Sequence, residues 1–167
     1  MPKLTAEQFD SLYRHHGRRA QGFFLRMTGY DRSLAEDLTQ ELFTRIWEHR
    51  ADYRDEQSFT TWMYTIAYNL CKNVYRHRTV AETYLQDAQS TTAEEAPVSD
   101  ELERTEQRAL LAQAIQRLPQ KQRDVFMLRY EEGLSIEDVA SVCAIPTGTV
   151  KSRLFNALRT LKKQFNS

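Results

Sequence analysis

Apolar residues at Phe59, Trp62, Met63, Ile66, Ala67, Leu70 and Val74 keep a helical spacing through four turns. Only an α-helix puts all seven on one face, so the spacing predicts a helix from about Ser58 to Arg78. No segment alternates apolar and polar residues as a half-buried strand would. Five Gly and four Pro in 167 residues also leave little turn chemistry. The expected class is all-α.

Two more stretches share this periodicity. Phe9, Leu12, Tyr13, Ala20, Phe23, Phe24 and Met27 mark one apolar face, and Gly29 follows as a helix breaker. Leu34, Leu38, Leu42 and Ile46 recur every fourth residue, with Ala35, Phe43 and Trp47 beside them. Ser33, with Glu36 three residues on, is the candidate N-cap of that helix.

Charge divides the chain. It is neutral at pH 7, with 23 basic and 23 acidic residues. Residues 1–78 hold 12 basic and 10 acidic, residues 79–106 hold 1 and 8, and residues 107–167 hold 10 and 5. The stretch "TVAETYLQDAQSTTAEEAPVSDELERTEQ" is acidic and has no apolar stripe before Leu102. It buries too little surface to offset the entropy of ordering it, and reads as a flexible linker. Two small helical domains are therefore expected, at 1–78 and 102–167, joined by an acidic tether at 79–101.

The second domain contains a helix-turn-helix pattern. A helix starting after Pro119 runs to about Glu131, and Gly133 ends it. Ser135 caps a short helix, Ile136–Cys143, with Leu134 placed to staple onto Val139. The turn "AIPT" leads to a last helix reaching about Phe165. Val150, Leu154, Ala157, Leu158, Leu161 and Phe165 form its apolar arc. The opposite side carries Gly148, Lys151, Ser152, Phe155, Asn156, Arg159, Lys162 and Lys163, with Arg153 on the flank. From Pro146 to Phe165 there are five Lys/Arg and no acid. Cations, a hydroxyl, an amide and an exposed ring suit base edges and a thymine methyl in a major groove. Backbone amides at Gly148 and Thr149 suit a phosphate.

On the helix at 58–78 the outward arc holds Thr61, Tyr64, Thr65, Tyr68, Asn69, Lys72, Tyr75 and Arg76. Rings among cations suit unstacked bases and their phosphates. The same tyrosines would equally pack on a neighbouring helix, and the residues alone leave both open. The polar face Asp37, Gln40, Glu41 and Thr44 is likewise either a solvated surface or a docking face.

Other classes find little support. His15, His16, His49 and His77 have no metal-ligand spacing with each other or with Cys71 and Cys143, which read as reduced core thiols. Glu36/Asp37 and Glu131/Glu132 do not share a helix face, and no glycine-rich phosphate loop appears. No catalytic residue, metal or cofactor is expected. Neither a signal peptide nor an apolar run long enough to span a membrane is present, so a cytoplasmic protein without membrane insertion is expected.

The chain resembles a bacterial sigma factor of the extracytoplasmic-function (ECF) type, within the sigma-70 family. "AEDLTQELFTRIW" resembles the helix that grips the coiled coil of the largest RNA polymerase subunit. "SFTTWMYTIAYNLCKNVYRHR" resembles the segment that opens and reads the −10 element. "IQRLPQKQRDVFMLRYEEGLSIEDVA" with "PTGTVKSRLFNALRTL" resembles the −35-reading domain. The resemblance covers nearly the whole chain, with the motifs in order.

It implies sigma region 2 at 1–78 and region 4 at 102–167. Asp37, Leu38, Gln40, Glu41 and Thr44 would bind core RNA polymerase at the beta-prime clamp coiled coil. Region 4 would meet the beta flap. Tyr53, in the loop "YRDEQS", and Asn69 would line the pocket for a flipped −10 base, with Arg54, Tyr64, Thr65 and Tyr68 alongside. Lys72, Arg76 and Arg78 would hold phosphates of the melted strand. Thr147, Gly148, Thr149, Lys151, Ser152, Arg153, Phe155, Asn156 and Arg159 would contact −35 DNA. An anti-sigma factor is a further implied partner. Ala144 stands where the family usually has Gly, so a left-handed backbone there would cost about 1 kcal/mol. Cys143 replaces a larger aliphatic residue, and Asn156 stands where many relatives carry Arg. The rival expectation is a helix-turn-helix regulator that binds DNA without being a polymerase subunit.

Overall fold

The computed structural model describes residues 4–54, 58–84 and 102–166, with backbone alone at 78–84, 102–104 and 166. Among these residues every regular element is helical. The chain forms two units, Met1–Ala93 and Glu94–Ser167. The all-α, two-domain expectation holds. The flexible-tether expectation falls mostly on residues 85–101, outside the described residues.

The first unit contains α1 (Ala6–Met27), α2 (Arg32–Glu48), a 3-10 turn (Arg50–Asp52) and α3 (Phe59–Tyr84). Thr5 caps α1 through a full capping box, exchanging hydrogen bonds with Gln8. Gly29 ends it: with φ +69 it turns the chain left-handed, and the Tyr30 amide bonds the Leu25 oxygen at 2.7 Å. Such a closure satisfies orphan carbonyls of the last turn.

The N-cap of α2 is Asp31, whose carboxylate accepts from the Leu34 amide at 3.1 Å. Ser33 was expected there, but it already lies inside the helix. The left-handed pair Gly29–Tyr30 ends the turn early and leaves Asp31 extended at the cap. The aromatic contacts Phe9–Trp47 and Tyr13–Phe43 place the start of α1 beside the end of α2, so those helices are antiparallel. Contacts of His16 with Phe59, Phe23 with Tyr64 and Met27 with Tyr75 run α1 and α3 in the same direction.

Helix α3 departs from expectation in two ways. It continues to Tyr84 rather than stopping near Arg78, because Val80–Glu82 contain no Gly or Pro to end it. Its buried face is also turned from the expected one. Thr61, Tyr64, Tyr68 and Cys71 are buried with Met63, Ala67 and Leu70, while Trp62, Ile66 and Val74 are only half-buried. Packing against both α1 and α2 widens the covered arc onto the tyrosine shoulder. A tyrosine ring contributes apolar area there while its hydroxyl finds a polar partner.

The second unit contains α4 (Leu102–Gln116), α5 (Gln120–Phe126), a π turn (Met127–Glu131), α6 (Ile136–Cys143) and α7 (Thr147–Asn166). The single helix expected from Pro119 to about Glu131 is thus divided by a wider turn, closed by the Glu132 amide on the Met127 oxygen. Ser135 caps α6 by accepting from the Asp138 amide at 3.1 Å, as expected. Leu134 and Val139 are both buried, as a staple requires. Ala144 takes the left-handed conformation, φ 56 and ψ 47. On α7, Val150, Leu154, Ala157 and Leu161 are buried. Leu158 (45% exposed) and Phe165 (53%) were expected in the core but sit at the flank of that stripe, outside what α5 and α6 cover. Cys71 and Cys143 are buried free thiols.

Candidate nucleic-acid and polymerase interfaces

The α2 face is displayed much as its spacing predicts. Asp37, Gln40, Glu41 and Thr44 are exposed along it. Glu41 is held by the Arg45 Nε at 3.0 Å, and the Thr44 hydroxyl donates to the Gln40 oxygen at 2.9 Å. Leu38 is the exception. It is buried in the stripe that seats α2 on its neighbours, so it supports this face from beneath and is not itself a surface contact.

The loop after α2 is held by local contacts. The Arg50 guanidinium lies 3.9 Å from the centre of the Trp47 ring and donates to the Trp47 oxygen at 2.7 Å. Tyr53 follows, half-buried, its ring 5.7 Å from Phe59 and 5.3 Å from Trp62. Arg54 is exposed beside it. Two rings packed against a third restrict its motion, so Tyr53 presents a fixed edge.

On α3 the exposed strip is narrower than expected. Asn69, Lys72 and Arg76 are exposed, and Arg76 donates to the Asn73 side chain at 2.7 Å. Thr65 is half-buried, with its hydroxyl returned to the Thr61 oxygen at 2.8 Å. Tyr64 (0% exposed) and Tyr68 (9%) are not on this strip. Tyr64 packs edge-on against Phe23, and the Lys72 ammonium lies 5.6 Å from the centre of the Tyr68 ring. Stacking of bases on Tyr64 or Tyr68 is therefore withdrawn, because α1 covers that shoulder. The Arg78 side chain lies outside the described residues.

Sequence reasoning passed over two neighbours of this surface. Arg19 of α1 places its guanidinium 5.7 Å from the centre of the Tyr64 ring. His16 is buried against Phe59, and its pKa is lowered first by burial, then by nearby His15 and Arg19. The acid-free run from Ser11 to Met27 was the available signal for Arg19. Nothing in the spacing singles out His16 from other residues of the apolar face.

In the second unit, α7 follows a three-residue turn, Ala144–Pro146. Thr147, Gly148, Lys151, Ser152, Phe155 and Arg159 are exposed, while Thr149, Arg153 and Asn156 are half-buried. Phe155 is 65% exposed, and Arg159 leans toward it, 6.0 Å from its centre. The Thr149 amide bonds the Pro146 oxygen at 3.0 Å and so is not available to a phosphate, contrary to expectation. The amides of Thr147 and Gly148 precede it at the positive end of the helix. Ser152 returns its hydroxyl to the Thr149 oxygen at 3.1 Å. Phe155 thus shares an exposed strip of α7 with Lys151, Ser152 and Arg159.

Two family descriptions match this chain: Sigma-70 region 2 over residues 12–80 and Sigma-70 region 4 over residues 108–161. The chain belongs to the sigma-70 family, in its ECF branch. It is 34% identical to the RNA polymerase sigma-H factor of Pseudomonas aeruginosa, covering 93% of this chain and 84% of that one. It is 33% identical to the ECF sigma factor SigL of Mycobacterium tuberculosis, covering 91% and 85%. Its fold matches that of RpoE solved in complex with the anti-sigma factor NepR from Bartonella quintana, with a TM-score of 0.75 at 21% identity over 96% of this chain and 98% of that chain. CnrH, solved with the cytosolic domain of CnrY, matches with a TM-score of 0.70 at 22% identity, over 97% and 90%. This ECF sigma factor is a promoter-specific transcription initiation factor. None of its described helices is long and apolar enough to cross a membrane.

Proposed function

We propose that the exposed face of α2 docks this factor on core RNA polymerase, that α7 reads the −35 element, and that Tyr53 with Asn69 captures a flipped −10 base. Region 2 at 1–78 and region 4 at 102–167 are the working parts, with region 2's last helix running to Tyr84. The observation that carries the reading is the pair of separate exposed strips. Asn69, Lys72 and Arg76 lie in one unit; Lys151, Ser152, Phe155 and Arg159 lie on the second helix of a helix-turn-helix in the other.

Capture works by compensation. Unstacking a base costs a few kcal/mol, and a polar pocket beside phosphate-holding cations offsets that cost. The factor is a binding protein in this scheme, with no catalytic step of its own, and it works in the cytoplasm where polymerase is. The structural neighbour RpoE, solved with the anti-sigma factor NepR, supports an anti-sigma partner here as well.

The test is run-off transcription from a promoter library with core RNA polymerase, with and without the factor. Factor-dependent starts sharing two upstream motifs at constant spacing are expected. Tight operator binding by the factor alone, with no polymerase-dependent start, would replace this reading with that of an ordinary DNA-binding regulator.

A further inference from the structure

Trp62 belongs by spacing to the apolar face of α3, yet it is only half-buried, while Thr61 and Tyr64 are covered in the core. At about 100° per residue, Trp62, Asn69 and Arg76 fall on one line of the helix, within about 40° of one another. Trp62 therefore stands two turns before Asn69 on the same strip, about 10 Å along the axis.

Its ring contacts point to the loop. Among the described residues the indole meets Tyr53 at 5.3 Å, tilted by 43°, and Phe59 at 6.0 Å, tilted by 58°. Phe59 also closes on Tyr53, at 5.7 Å and 80°, so the three rings form a triangle. Phe59 reaches back to His16 of α1 at 5.2 Å as well. Two corners of the triangle ride on a helix; the third does not. Tyr53 stands in extended backbone just past the 3-10 turn, φ −67 and ψ 130. Packing by the two α3 rings, rather than helix geometry, sets where its own ring points.

We infer that Trp62 is a positioning residue for selection of the −10 base, acting through Tyr53. This rests on the proposed reading in which Tyr53 and Asn69 capture that base. A side chain occupies several staggered rotamers unless packing excludes them. Whatever fraction of time the Tyr53 ring leaves the pocket geometry lowers the apparent affinity for the matching base by that fraction. A mismatched base makes no such contact and loses nothing. The indole thus acts on discrimination, and a residue that merely filled the core would act on stability alone.

The test uses holoenzyme assembled from the full chain and core polymerase. Its affinity is measured for single-stranded oligonucleotides carrying the −10 sequence that the promoter library yields, with the matching base or another at the flipped position. Trp62→Leu is expected to lower the matched-to-mismatched ratio by about 2- to 10-fold, the factor that one aromatic pair is worth. Affinity for the mismatched strand should stay as it is. Trp62→Phe keeps a ring against Tyr53 and should restore most of the ratio. Tyr53→Ala should lower the ratio too, and adding Trp62→Leu to it should change nothing further, since coupled residues are not additive. Should Trp62→Leu fail to fold, Trp62→Met removes the ring while an adaptable side chain fills the gap.

An equal fall for matched and mismatched strands overturns the inference, as does an effect of Trp62→Leu that persists in full beside Tyr53→Ala. A Tyr53→Ala holoenzyme with an unaltered ratio overturns the −10 reading together with this inference. A lowered ratio in Tyr53→Ala with an unaltered one in Trp62→Leu overturns this inference alone.

Discussion

The Tyr75 hydroxyl donates to the Met27 main-chain oxygen at 3.2 Å, tying α3 to the last turn of α1. With Tyr64 and Tyr68 buried on the same shoulder, these three tyrosines are cement between helices, while Asn69 and Lys72 are left to the solvent. Stability and promoter reading should therefore separate by residue. Tyr75→Phe should cost about 1 kcal/mol, the net value of one hydrogen bond. Tyr64→Ala should cost roughly 3–5 kcal/mol, as aromatic truncations in cores do. Asn69→Ala should shift stability by less than about 0.5 kcal/mol, as exposed substitutions do, yet abolish selection of the −10 base in run-off assays. Both tryptophans, Trp47 and Trp62, lie in this unit, so indole fluorescence during urea unfolding reports it alone. A stable Tyr64→Ala, or an Asn69→Ala that selects promoters normally, would contradict this division.

Ala144 stands in the left-handed region at the corner of the helix-turn-helix, with the Ile145 amide closing onto the Ala140 oxygen at 3.0 Å. A Cβ there costs about 1–2 kcal/mol. Glycine removes that strain but adds roughly 0.5–1 kcal/mol of unfolded-state entropy. Ala144→Gly should raise the stability of the second unit by about 0.5–1 kcal/mol, a few degrees in its melting temperature for a domain of this size. Calorimetry checks the value, and a lower melting temperature would show that the strain is relieved some other way.

Much of this architecture is written locally. The cap at Ser135, the breakers Gly29 and Gly133 and the stripe Val150–Leu161 each act over one or two turns, so short sequence windows reveal them. The rotation of α3 is not local. A wheel shows which residues share a side, but tyrosine suits either water or a core, and only the presence of α1 decides between them. The π turn at Met127–Glu131 adds one residue to a turn without disturbing composition, so no sequence signal marks it. In the same way Leu158 and Phe165 belong to the apolar arc of α7 by type, yet lie beyond its neighbours' reach. The α7 strip was legible because charge and periodicity agree there. The seat of Arg19 over Tyr64 was not, because it depends on where α1 and α3 meet.

His16 is buried against Phe59 with its Nδ1 lacking a hydrogen-bond partner among the described residues, and burial, His15 and Arg19 all lower its pKa from 6.5. The folded state thus binds the His16 proton less readily than the unfolded chain does. This stabilising contribution is complete above pH 6.5 and declines as pH falls through 6.5 toward the lower folded pKa. Urea midpoints read by tryptophan fluorescence should accordingly drop on going from neutral to mildly acidic pH. His16→Leu should flatten that dependence. An equal pH dependence in His16→Leu would assign the effect to other groups.

Gly148 lies in the first turn of α7, and a Cβ built on it meets nothing within 4 Å. The fold therefore has no steric need for glycine there, and alanine should stabilise the free protein by roughly 0.5 kcal/mol, the low end of glycine's helical penalty. Next to exposed Thr147 and Lys151, the missing side chain instead lets the helix end come close to a phosphate, where amides and dipole favour an anion. Gly148→Ala should raise the second unit's melting temperature while weakening holoenzyme binding to duplex −35 DNA, with little change at mismatched bases, because a backbone contact carries no sequence information. Titrations with matched and mismatched −35 duplexes, set beside thermal melts, test the opposing signs. Unaltered DNA affinity in a stabilised variant would mean that α7 enters the groove by another edge.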